Sequence, residues 1–67
     1  MPMEPTFYWW KPRKKHTRPP SNWVASVYGI VATEEYLEPD EIDRLDYIYL
    51  GYMTREEMLE LTGVGCR

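Results

Sequence analysis

A chain of 67 residues with a single cysteine must hold itself together without the cross-links on which short chains usually rely. Cys66 has no partner within the chain for a disulfide, and Cys66 with His16 falls short of the four ligands of a closed zinc site. A domain of this size buries only about 60% of the surface that its unfolded form exposes, so its stability margin is thin. The core must therefore come from large side chains or from a second copy. Three Trp, six Tyr and one Phe are available. Each such ring removes roughly 150–250 Å² from water on burial, which at about 25 cal/mol per Å² is several kcal/mol gross. One folded domain spanning residues 1–67 is the expectation. The lone cysteine fits a reducing compartment. No window approaches the ~18 apolar residues of a membrane span, and the start has no signal-peptide pattern. A cytoplasmic protein with no membrane partner is expected.

Residues 1–5, with two prolines, read as an extended lead-in. Thr6-Phe7-Tyr8-Trp9-Trp10 is a run of β-formers and reads as a strand. Residues 11–22 carry three prolines and no aliphatic side chain, and read as a basic, proline-rich loop. The apolar window Trp23–Thr33 is richest in β-branched residues and Gly29 interrupts it, which favours strand; Trp23, Val27, Ile30 and Val31 also sit at helical spacing. Pro39 suits a first helical position, with Asp40 and Glu41 at the favourable end of the helix dipole and an Asp40–Arg44 pair at i,i+4. Ile42, Leu45, Ile48, Tyr49 and Tyr52 then form one stripe, and Gly51 is placed to end that helix. A strand over residues 47–53 is the competing reading. Thr54 and Glu57 form a capping box that opens a second helix through Met58, Leu59 and Leu61, closed by Gly63. These elements predict an α+β domain, a β-hairpin followed by two short helices; the alternative is an all-α three-helix bundle.

Charge is sorted along the chain. Residues 1–33 hold five basic groups against one acid, about +4, whereas residues 34–67 hold ten acids against three arginines, about −7. Such a field governs what a surface attracts. The acids Glu34, Glu35, Asp40, Asp43, Asp46, Glu56, Glu57 and Glu60 are the candidate partner-binding residues, presenting carboxylates to a larger protein with a basic surface. The alternative site is Trp9, Trp10, Lys11, Arg13, Lys14, Lys15 and Arg18, where cations would track the backbone of a single-stranded nucleic acid while exposed rings stack on its bases. Both readings compete with a plainer one, in which the rings are core and the charges are solvated faces.

Nothing points to catalysis. His16 has no sequence-defined partner, Ser21 and Ser26 lie in no nucleophile motif, and no glycine loop cradles phosphate. No metal or cofactor is expected. The segment Met53–Val64 resembles the first helix and turn of helix-turn-helix domains; the residues after it, Gly65-Cys66-Arg67, supply no groove-entering helix, so a DNA-binding role is not carried over. The expected function is a non-enzymatic protein-interaction module. A small inhibitor or adaptor, of the kind bacteriophages also make, would dock an acidic or aromatic surface on its partner. A homodimer is a further expectation, because a small sheet has open edges.

Overall fold

Trp9 and Trp10 are consecutive in a strand, so their side chains project to opposite faces of it, and each seeds a separate core. The computed structural model describes residues 5–63. Its elements are β1 (Thr6–Pro12), β2 (Trp23–Val27), β3 (Ile30–Thr33), α1 (Pro39–Leu45), β4 (Tyr47–Thr54) and α2 (Arg55–Thr62). The strands form one four-stranded sheet in the order β2-β3-β1-β4, with every neighbouring pair antiparallel. The α+β class holds. The all-α alternative does not.

On one face Trp9 packs with Ile30, Ala32 and Met58, backed by Phe7, Val27, Met53 and Leu59. On the other Trp10 packs with Val31, Leu37 and Tyr47, backed by Tyr8, Ile42 and Leu45. Helix α2 therefore covers the Trp9 face, and α1 with the segment before it covers the Trp10 face. Both indoles are fully buried. Each nonetheless satisfies its N–H, as a buried polar group must. Trp9 Nε1 donates to the Met53 carbonyl at 2.8 Å, and Trp10 Nε1 donates to Thr33 Oγ1 at 2.9 Å.

Four expectations need correction. The first strand does not make a hairpin with the second; the hairpin is β2–β3, turning at Tyr28 and Gly29. Both turn residues have positive φ, 54° and 85°, the pattern of the two-residue turn whose twist suits a hairpin. Lys11 and Pro12, read as loop, extend β1 and pair with Ile48 and Tyr47, so the basic loop begins at Arg13. The helix from Pro39 stops at Leu45 rather than running to Gly51. Asp46 adopts a left-handed conformation (φ 65°), and its N–H bonds back to the Ile42 carbonyl. Aspartate is one of the few residues that tolerate this geometry. From Tyr47 the chain becomes β4, because an aromatic and β-branched run gains a full ladder along β1 by extending. The expected pair of successive helices is thus replaced by α1, a strand, then α2. Finally, the Asp40–Arg44 pair is not among the ion pairs of the described residues, which are Arg13–Asp46 at 3.4 Å and Lys14–Asp46 at 3.6 Å.

The second helix matches its expected signals. Thr54 Oγ1 accepts from the Glu57 N–H, the Glu57 carboxylate accepts from the Thr54 N–H, and Gly63 caps the end at φ 73°. Met58 is buried, but Leu61, expected beside it on the apolar side, is exposed. No helix of the described residues is long and apolar enough to cross a membrane. The expected lead-in lies largely outside the described residues.

Candidate functional site: a tyrosine surface on the Trp10 face

Four tyrosines from three separate segments of the chain converge above Trp10. Tyr8 comes from β1, Tyr49 and Tyr52 from β4, and Tyr36 from the segment between β3 and α1. The ring centroids of Tyr8 and Tyr52 are 4.6 Å apart, and those of Tyr36 and Tyr49 are 5.1 Å apart, with Tyr8 and Tyr36 closing the set at 5.9 Å. Trp10 forms the floor, 4.9 Å from Tyr49 and 5.1 Å from Tyr36. These separations are those of favourable aromatic pairs. The rings are far from hidden: Tyr36 is 53% exposed, Tyr49 40% and Tyr52 59%. Partial burial, and then the neighbouring Tyr8 and Tyr36, push the Tyr49 hydroxyl above its ordinary range.

A β-bulge assembles this surface. Residues three apart in a regular strand point to opposite faces. Here Tyr8 pairs with Tyr52, Trp9 with Gly51 and Trp10 with Tyr49, so Leu50 is an extra residue opposite the Trp9–Trp10 step. The extra residue returns Tyr52 to the face that carries Tyr49. Gly51, at φ 143°, supplies the backbone that the bulge needs.

Tyr36 is held in place by a relay through the sheet. The buried Thr33 hydroxyl accepts from the Trp10 indole and donates to the Glu35 carbonyl at 2.6 Å. This fixes the backbone one residue before Tyr36. Thr33→Val keeps the side-chain shape but strands the buried indole N–H. It is expected to cost about 1–3 kcal/mol, the usual penalty for an unmade buried hydrogen bond. Urea denaturation checks the stability. NMR cross-peaks between the Tyr36 and Tyr8 rings, expected to disappear in the variant, check the positioning.

The acids expected to form one surface are divided by the sheet. Asp40 and Asp43 lie on α1, on the Trp10 side, whereas Glu56, Glu57 and Glu60 lie on α2, on the Trp9 side. Glu57 is engaged in the helix cap. Asp46 is neutralised by Arg13 and Lys14, and its carbonyl accepts from the Arg13 N–H at 2.9 Å. What remains beside the tyrosines is Glu34, Glu35 and Glu38, flanking Tyr36 in the chain, all exposed and in no ion pair among the described residues.

The alternative site is rearranged as well. Trp9 and Trp10 are fully buried and present no face for a base to stack on. A core this small needs both rings inside. Only Trp23, at 43% exposure, is left near the cations. Lys11 lies at the end of β1, apart from the loop, while Lys14, Lys15 and Arg18 line a shallow groove with Arg44 of α1, which sequence spacing did not associate with them. A hollow of about 210 Å³ bounded by Lys15, Pro19, Trp23 and Tyr47 is smaller than a typical small-molecule site of about 300–1,000 Å³. The chain matches no protein-family model, no curated protein and no solved structure.

Proposed function

We propose that the protein is a non-enzymatic interaction module that docks its tyrosine surface, edged by Glu34, Glu35 and Glu38, on a basic segment of a larger protein. The observation that carries the reading is the cluster of four tyrosine rings, three of them at least 40% exposed, in a chain short of core. A monomer that needs its aromatic side chains inside gains nothing by leaving these at the surface; a contact surface gains rigid rings with little rotamer entropy to lose. Aromatic faces attract arginine and lysine, each contact contributing about 0.5–2 kcal/mol. The exposed carboxylates beside Tyr36, in no ion pair among the described residues, add attraction for the same cations and repel phosphate. The field of the acidic half would speed association and make it sensitive to salt.

Titration with an arginine-rich peptide, followed by tryptophan and tyrosine fluorescence, tests this. Saturable binding is expected, weakened by added salt, by Tyr36→Ala and by Glu35→Gln, and unchanged by Lys14→Glu with Lys15→Glu. A single-stranded oligonucleotide is the counter-probe. If it binds instead, and the lysine substitutions abolish that binding, the nucleic-acid reading replaces this one.

A further inference from the structure

The outer edge of the sheet beside the tyrosines is chemically unlike the rest of the acidic half. β4 has one neighbour, β1, so among the described residues nothing pairs with its other side. An open edge presents a row of unpaired N–H and C=O groups, and proteins usually blunt it with charge, proline or shortness. β4 has none of these. Its eight residues, Tyr-Ile-Tyr-Leu-Gly-Tyr-Met-Thr, form the longest uncharged stretch in a half that carries ten acids. Apolar side chains are exposed on both of its faces: Ile48, 48% exposed, on the Trp9 side and Tyr49 and Tyr52 on the other. The opposite edge, β2, is only five residues long.

We propose that β4 pairs antiparallel with β4 of a second copy, across a twofold axis normal to the sheet, joining two sheets into one continuous sheet. The occupant follows from charge. A basic strand from another protein would find no carboxylate along β4 to meet its cations, and an acidic strand would meet the field of the acidic half. An uncharged strand that is apolar on both faces is what fits, and the chain carries one in β4 itself. Twofold pairing of a strand with its own copy places no like charges opposite one another. It also keeps the Trp10 faces on the same side, so the two tyrosine surfaces would adjoin. The pairing adds backbone hydrogen bonds and buried area to a chain whose size leaves it little of either. Among the described residues, the Leu50 bulge is the one edge-protecting device on β4. It interrupts the regular run and keeps the association reversible rather than fibrous.

The inference stands apart from the proposed function, because its key residue, Ile48, is on the face away from the tyrosines. Sedimentation equilibrium over a concentration series should show a monomer–dimer equilibrium. Ile48→Lys should weaken dimerisation about tenfold by placing a cation that needs water on the edge that pairs, and Ile48→Val, which keeps the edge apolar, should leave it close to unchanged. Val24→Lys on β2 should leave the dimer intact. In the unsubstituted protein, outward amides of β4 should exchange more slowly as concentration rises, with β2 unaffected. A protein monomeric at every concentration, a dimer undisturbed by Ile48→Lys, or protection that falls on β2 would each overturn the proposal.

Discussion

Trp10→Ala is expected to lower the urea midpoint of the protein sharply, and Trp9→Ala to do nearly the same. Each indole is fully buried, and each is the largest member of its own cluster. Truncating a buried tryptophan typically costs about 3–5 kcal/mol, through lost transfer energy and the cavity left behind. At about 0.05–0.15 kcal/mol per residue, a chain of 67 residues has roughly 3–10 kcal/mol in total. One truncation therefore removes a third of the stability or more. Trp10→Ala carries an extra loss, because Thr33 Oγ1 no longer receives the indole N–H. The relay to Glu35 then loses its buried anchor. Trp10→Phe separates the two parts: it retains most of the packing and removes only the donor, so it should sit well above Trp10→Ala in urea midpoint. Equal midpoints for the two would show that the ring contributes little, and the two-core account would fail.

Signals that act within four residues were legible in the sequence. The capping box of Thr54 and Glu57, the Gly63 cap and Pro39 at a helix start all appear where local spacing places them. The strand beginning at Thr6 was legible for a similar reason, since consecutive aromatic residues leave few other options. What failed was the segment 47–54. Its stripe with Ile42 and Leu45 fits the helical period, and its aromatic and β-branched content fits a strand. The choice was made by β1, about forty residues away, whose outer edge has a full ladder to offer. No local pattern reports that.

The site was hidden by the same non-locality. Counting acids along the chain suggested a single negative surface, but Trp9 and Trp10 face opposite ways and draw α1 and α2 to opposite sides. The carboxylates divide with them, and Asp46 is consumed by the basic loop. The tyrosines gave a weaker signal because they are scattered. Only Tyr49 and Tyr52 are near in sequence, and regular strand geometry would send them to different faces. Leu50-Gly51 between them was the available clue, a glycine inside a run of β-formers being a frequent mark of a bulge.

That glycine is where stability and the tyrosine surface meet. At φ 143° it occupies backbone space that L side chains rarely adopt, and holding another residue in such a region costs about 1–3 kcal/mol. A Cβ there would also lie 2.6 Å from Cε of Met53. That clash is with the end of a flexible side chain, which can swing away, so the backbone cost is the larger part. Gly51→Ala is expected to destabilise by about 1–3 kcal/mol, and Gly51→Val by more. Combining Gly51→Ala with Met53→Ala removes the steric clash; the cost attributable to residue 51 should persist in that background. The functional consequence follows from register. A chain that relieves the strain by losing the bulge turns Tyr52 to the Trp9 side, away from Tyr8. The 4.6 Å pairing of those two rings would be the first to break. NMR cross-peaks between the Tyr8 and Tyr52 rings should vanish in any Gly51→Ala population that remains folded, and arginine-peptide binding should weaken with them. A Gly51→Ala protein of unchanged urea midpoint that keeps the Tyr8–Tyr52 pairing would show that the bulge makes no such demand.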